Sequence, residues 1–144
     1  MKQGFVKVAS ATPRIRVADP VYNAQVICEQ AKEAAEHGAK IVVFPELCIT
    51  GYTCNDLFLQ ELLLEKAKEA LLTIAEETGQ LETLFLVGLP VDKDGRLYNV
   101  AAVLYRGRIL GMIPKKNIPM YAEFYEGRHF TPGEKTVTEY RLGK

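Results

Sequence analysis

Hydrophobic and polar positions recur with two different periods along the chain, and these periods predict alternating strands and helices. Residues 5–9 alternate apolar and polar and then meet a Thr-Pro break, which indicates a short strand. Asp19-Pro20 predicts a helix start, because Asp accepts the free N–H groups of a first turn and Pro loses no hydrogen bond there. Apolar residues then lie on one helix face as far as Gly38, a typical helix end.

Residues 41–44 are a continuous β-branched and aromatic run that is too short for a helix, which predicts a strand buried on both faces. A second amphipathic stretch covers residues 63–75 and predicts the second helix. A strand, a crossover helix and a parallel strand place the residues just beyond the second strand at the carboxyl edge of the sheet, where ligand sites collect. Glu46 lies in that position.

The rest of the pattern predicts three more strands and a long loop. Residues 84–89 are entirely apolar, 92–95 form a hairpin turn, and 97–105 and 108–113 form a meander. The predicted order is β-α-β-α-β followed by two further strands, which is an α/β protein. No pattern continues through 114–133, and the four aromatic residues of that loop argue against disorder.

Composition and charge restrict the function classes. The chain has 144 residues, 48% of them hydrophobic and 25% charged, as in an average soluble domain, and one self-sufficient domain is the default expectation. Its 18 basic and 18 acidic residues leave no excess positive charge for nucleic acid. With no membrane-spanning run and no signal peptide, we expect a cytoplasmic protein. Three cysteines without a CxxC pair indicate reduced thiols and no metal site.

Two charged residues, Glu46 and Lys115, come just after predicted buried strands. Loss of hydration raises the proton affinity of a carboxylate, so Glu46 is a candidate general base. A lysine beside it would keep the carboxylate ionised and could stabilise a negative oxygen that develops on a substrate. Taken alone, such charges are more often a structural ion pair or solvated strand ends than catalytic groups.

Two longer motifs surround these residues, FPELCITGY at 44–52 and PKKNIPMYAEFYEGRHF at 114–130. Together they resemble the nitrilase (carbon–nitrogen hydrolase) superfamily, and the run EFYEGRHF favours its branch of glutaminase domains from glutamine-dependent NAD synthetases. The resemblance implies that Glu46 is the general base and Lys115 the catalytic lysine, with the adjacent Lys116 as the alternative. It also implies that Tyr121 helps to hold the amino-acid head of glutamine and that Glu126 is a second glutamate near the lysine.

The resemblance further implies a four-layer αββα sandwich, of which residues 1–144 supply one sheet and its helices as the N-terminal part of a single glutaminase domain. The family's cysteine nucleophile would come after Lys144, as would a synthetase domain that uses ATP and magnesium, whereas the glutaminase domain itself needs no cofactor. Glutamine hydrolysis would supply ammonia for NAD synthesis from deamido-NAD. The implied partners are glutamine and the synthetase domain. An exposed apolar sheet face would in addition favour association with further copies of the chain in a homo-oligomer.

Several alternatives stay open. Cys28 lies on the apolar helix face, whereas Cys48 and Cys54 follow Glu46 closely and could line its pocket, with either as a less favoured candidate for the nucleophile. Arg128 could bind a carboxylate or brace Glu126. The chain could instead be a stand-alone nitrilase-like amidase or carbamoylase, or a non-catalytic binding or assembly domain in which the two charges are structural.

Overall fold

The computed structural model describes residues 3–142, which form a five-stranded sheet and two long helices. The strands are β1 (Val8–Ser10), β2 (Ile41–Val43), β3 (Leu84–Lys93), β4 (Arg96–Tyr105) and β5 (Arg108–Pro114), and the helices are α1 (Pro20–Glu36) and α2 (Glu61–Glu77). The strands lie in the sheet in chain order. The first three strands are parallel, and β4 and β5 continue the sheet as an antiparallel meander. The predicted order of elements is confirmed.

The start and end of α1 are determined by local sequence. The Asp19 carboxylate accepts the backbone N–H of Tyr22 at 3.1 Å, and Pro20 occupies the first helical position. Gly38, just past the helix, has a φ of +83°, a left-handed conformation that glycine adopts without a steric penalty. The helix limits predicted from the Asp-Pro pair and the glycine are therefore confirmed.

Both helices pack on the same face of the sheet. Strand residues that point to this face form a continuous core with the apolar faces of α1 and α2. Its largest fully buried members include Ile27, Leu71, Ile74, Phe85 and Leu89. The described residues thus form two layers, one helical and one β.

The prediction that residues 41–44 are buried on both faces is wrong. Val42, which points to the helices, is fully buried, but Val43 on the opposite face is 45% exposed. Val8 and Ile113 are also exposed. Both long helices pack on the other face, and within residues 3–142 these three side chains leave apolar surface exposed on the second face. We call this surface the outer face.

Three smaller observations complete the fold. The first strand begins at Val8 instead of residue 5, because its ladder with β2 pairs only three residues, up to Ser10 and Val43. Neither long helix, nor any other helix within residues 3–142, combines the length and apolarity that a bilayer span requires. Among the same residues, no group of three or more His, Cys, Asp or Glu side chains is placed to hold a metal ion.

Candidate active site

Glu46 lies in a tight turn that rests directly on β3. The backbone N–H of Ile49 donates to the Gly88 carbonyl at 3.1 Å. A Cβ at Gly88 would lie 2.7 Å from the Pro45 carbonyl oxygen and closer still to the Leu47 backbone nitrogen. The turn can therefore approach β3 this closely only because residue 88 has no side chain.

Replacing Gly88 with alanine should destabilise the chain by about 1–3 kcal/mol, because its Cβ would overlap backbone atoms that cannot move without displacing the Glu46 turn. Urea unfolding monitored by circular dichroism measures the change. Gly111→Ala is the matched control, since Gly111 is also in a strand and its Cβ would meet nothing within 4 Å. We expect the control to change stability by less than about 1 kcal/mol. Equal stabilities for the two variants would contradict this explanation of the turn.

Lys115 comes directly after β5 and is held by backbone hydrogen bonds on both of its sides. Its N–H donates to the Asn99 carbonyl on β4 at 2.7 Å. Its own carbonyl accepts the N–H of Gly133 at 2.9 Å, where the long loop returns to the sheet. The lysine backbone is therefore fixed between a strand and the end of the loop.

The Lys115 ammonium bridges two carboxylates. Its Nζ lies 2.6 Å from Glu46 Oε1, and 3.0 and 3.1 Å from the two carboxylate oxygens of Glu126. The Glu126 side chain is only 5% exposed, so it depends on this cation for compensation of its charge. Lys115 makes these contacts, whereas Lys116 is exposed to solvent. The structure thus brings together three of the residues selected from the sequence; their chemical roles remain predictions.

Two further side chains contact Glu46, Lys115 and Glu126, and we call the five residues together the cluster. Sequence reasoning missed both additional residues. The side-chain amide of Asn99 donates to Glu46 Oε1 at 2.7 Å, and the Tyr52 hydroxyl donates to Glu126 Oε1 at 2.8 Å. The available signals were an asparagine inside an otherwise apolar strand and the tyrosine that ends the FPELCITGY motif.

The cluster also shifts the ionisation of its own members. Partial burial pulls the pKa of Lys115 down, but hydrogen bonds to Glu46 and Glu126 outweigh it, so the pKa lies above its ordinary value. Lys115 is therefore a permanent cation near neutral pH. Burial, together with the hydrogen bond to Glu126, raises the pKa of Tyr52, which stays a neutral donor.

Comparison with known proteins shows a family match over nearly the whole chain. Residues 7–144 match the family model of the carbon–nitrogen hydrolases. The chain belongs to this family. The match includes both motifs and every residue of the cluster.

The similar proteins include NAD synthetases and an amidase. A glutamine-dependent NAD(+) synthetase of Mycobacterium tuberculosis is 39% identical over 142 residues, which are 99% of this chain and 21% of that protein. A crystal structure of a glutamine-dependent NAD(+) synthetase from Cytophaga hutchinsonii matches with a TM-score of 0.86 at 30% identity, over 93% of this chain and 23% of the other. The chain thus spans about a fifth of the length of its mycobacterial relative.

A variant of the amidase from Nesterenkonia sp. AN1 matches with a TM-score of 0.74 at 25% identity, over 90% of this chain and 49% of the other. That structure shows the acetamide moiety of fluoroacetamide added covalently at the active site cysteine of the amidase. The solved relatives confirm the α/β fold of the nitrilase type.

In this carbon–nitrogen hydrolase chain, a cavity of about 390 Å³ opens beside the cluster, with Tyr52 and Glu126 in its wall. Asp56, Arg128 and His129 also line it and contact one another. Arg128 lies 3.2 Å and His129 Nε2 3.0 Å from the Asp56 carboxylate. The hydrogen bond from His129 and the charge of Arg128 lower the pKa of Asp56. Arg128 thus pairs with Asp56, and the idea that it braces Glu126 is wrong.

The aromatic residues of the long loop divide into two groups. Phe130 is buried and packs edge-on against Phe58, with ring centroids 5.0 Å apart, so it anchors the loop. Tyr121 is 69% exposed and packs against Phe124 instead of the cluster. The structure does not bring Tyr121 to the Glu46 carboxylate, and its contact with glutamine stays a prediction.

The three cysteines of this carbon–nitrogen hydrolase chain are all buried. Cys48 lies in the core between sheet and helices, where burial raises the pKa of its thiol to about 12. Burial also raises the pKa of Cys54, and that of Cys28 to about 11. Cys48 and Cys54 are only 1% and 3% exposed, so neither side chain presents an accessible surface to a pocket at Glu46. A nucleophile needs a thiolate, and burial disfavours it at all three positions.

Proposed function

We propose that this chain is the N-terminal part of the glutaminase domain of a glutamine-dependent NAD synthetase. In the complete enzyme, glutamine hydrolysis would supply ammonia for the conversion of deamido-NAD to NAD. The observation that carries the proposal is the ion pair of Glu46 with Lys115, 2.6 Å apart at the carboxyl edge of the sheet. The similarity to NAD synthetases over nearly the whole chain supports this branch of the family over a stand-alone amidase.

The cluster supports a covalent mechanism in which Glu46 acts as the base. Its carboxylate takes the proton of a cysteine thiol, and the resulting thiolate attacks the side-chain amide carbon of glutamine. The Lys115 ammonium stabilises the negative oxygen of the tetrahedral intermediate. Glu46 returns the proton to the departing nitrogen, ammonia leaves, and water hydrolyses the thioester to glutamate. Tyr121 and Glu126 would contact the substrate, with Glu126 held by Tyr52 and Lys115.

The thiol in this proposal belongs to a part of the enzyme beyond residue 144. The burial and raised pKa values of the three cysteines in this chain support that assignment. The covalent adduct at the active site cysteine of the related amidase supports a cysteine nucleophile in the family.

The outer face supports the assignment of residues 1–144 to part of a larger domain. Val8, Val43 and Ile113 leave apolar surface uncovered there, as expected of a sheet that packs against a second sheet. The proposed domain is therefore the four-layer αββα sandwich, completed by the rest of the polypeptide. The proposal also includes a synthetase domain that uses ATP and magnesium, and self-association into a homo-oligomer.

We expect the purified 144-residue chain to show no glutamine hydrolysis, because the covalent step lacks its nucleophile. The complete polypeptide should release glutamate and ammonia from glutamine and form NAD from deamido-NAD and ATP. A coupled glutamate assay measures the first reaction in both samples. Hydrolysis by the isolated chain that is abolished by Cys48→Ala or Cys54→Ala would overturn the location of the nucleophile. A complete polypeptide without any glutaminase activity would overturn the proposed function.

A further inference from the structure

Asn99 is the polar member of the cluster that the proposed mechanism does not use. It lies within β4 and is only 3% exposed. A buried amide costs free energy unless it is hydrogen-bonded, so its contacts explain why a polar residue is tolerated in this strand. Its side-chain nitrogen donates to Glu46 Oε1 at 2.7 Å, and its backbone carbonyl accepts the N–H of Lys115 at 2.7 Å. Asn99 therefore contacts both Glu46, the proposed base, and Lys115, the proposed oxyanion-stabilising group.

The two carboxylate oxygens of Glu46 have different surroundings. Oε1 accepts hydrogen bonds from Asn99 and from Lys115, at 2.7 and 2.6 Å. Oε2 accepts none from any residue between 3 and 142. The side chain is 39% exposed, so the unoccupied oxygen belongs to a carboxylate that substrate can reach. The two donors fix one oxygen and leave the other available as a proton acceptor.

We propose that Asn99 is a positioning residue that, together with Lys115, holds Oε1 of Glu46 so that Oε2 takes the proton from the nucleophile. The inference rests on the proposed function, because it assigns a role through the general base. A carboxylate oxygen can only accept here, so the Asn99 amide must present its NH₂ group to it. A neutral donor suits the site because Lys115 already faces two carboxylates, and an acidic residue at position 99 would add a third.

The inference predicts a specific change in pH dependence. A hydrogen bond donated to the charged form of an acid favours that form, and its loss favours the protonated acid. Asn99→Leu removes the donor and keeps the number and branching of the side-chain heavy atoms. In the complete enzyme we expect the acidic limb of the kcat/KM profile for glutamine to move up by about one pH unit. We also expect kcat at the plateau to fall about tenfold, because Oε2 is less well oriented, with KM for glutamine changed less than about threefold.

A second variant and two controls separate positioning from folding. Asn99→Asp keeps the shape of the side chain and places a second carboxylate beside Glu46, so its acidic limb should move at least as far as in Asn99→Leu. NAD formation from added ammonium chloride bypasses the glutaminase site and should stay unchanged in both variants. Thr83→Val is the matched control, since Thr83 is also buried and its hydroxyl donates to the Ala39 carbonyl at the opposite edge of the sheet. The control should show the same pH dependence of kcat/KM for glutamine as the unmodified enzyme.

The possible outcomes are distinct. A shifted acidic limb with unchanged ammonium-dependent synthesis supports the inference. A fall in kcat that is equal at every pH, or an unshifted profile in both Asn99 variants, overturns it and leaves Asn99 a structural residue. Absence of glutamine hydrolysis in the unmodified enzyme is a separate result that overturns the proposed function instead.

Discussion

Glu46→Gln should lower kcat for glutamine hydrolysis in the complete enzyme by about 10²–10⁴-fold, which is the usual contribution of a positioned general base. Glutamine has nearly the same shape as glutamate and can still accept the hydrogen bonds of Asn99 and Lys115 through its amide oxygen. The variant therefore removes the proton acceptor with little disturbance of the cluster. Steady-state rates of glutamate formation, measured alongside thermal unfolding, test the prediction.

The matched control for this variant is Glu82→Gln. Glu82 also pairs with a cation, Arg106, at 2.6 Å, but the pair is exposed and lies outside the cluster. Its loss should change neither the rate nor the stability by a measurable amount. Retention of more than about a tenth of the rate by Glu46→Gln, at unchanged stability, would remove Glu46 from the role of base.

The fold was largely predictable because its signals are local. The Asp-Pro pair and the glycine determine the ends of α1, and two short turns determine the meander. Burial on the second face of β2 was not predictable in the same way. Val42 and Val43 have the same side chain, and only the placement of α1 and α2 on one face makes the first buried and the second exposed.

The site was predictable only in part, for a similar reason. A charge after a buried strand marks Glu46 and Lys115 as unusual, but their separation of 69 positions in sequence gives no distance. The choice between Lys115 and Lys116 depends on the alignment of β5 with β4, because neighbouring residues at a strand end point to opposite sides. Asn99 could be recognised as unusual, yet its partner becomes known only when the Glu46 turn is placed against β3.

Lys115→Met should lower kcat for glutamine hydrolysis by about 10²–10³-fold, the effect expected from loss of one oxyanion-stabilising group. Methionine keeps most of the length and apolar volume of the lysine stem but carries no charge. Lys116→Met is the matched control, since it removes the neighbouring, exposed ammonium. We expect the control to keep its activity within about threefold. A greater loss in Lys116→Met than in Lys115→Met would reassign the catalytic lysine.

Stability has to be separated from catalysis in Lys115→Met, because the variant leaves the buried Glu126 carboxylate without its cation. An uncompensated buried charge is destabilising, and urea unfolding should show a loss of about 3 kcal/mol at most, since Lys115 itself is partly exposed. The double variant Lys115→Met with Glu126→Gln removes that charge as well. It should recover much of the stability without recovering the rate. Recovery of both would show that Lys115 acts through the structure of the site and not on the oxyanion.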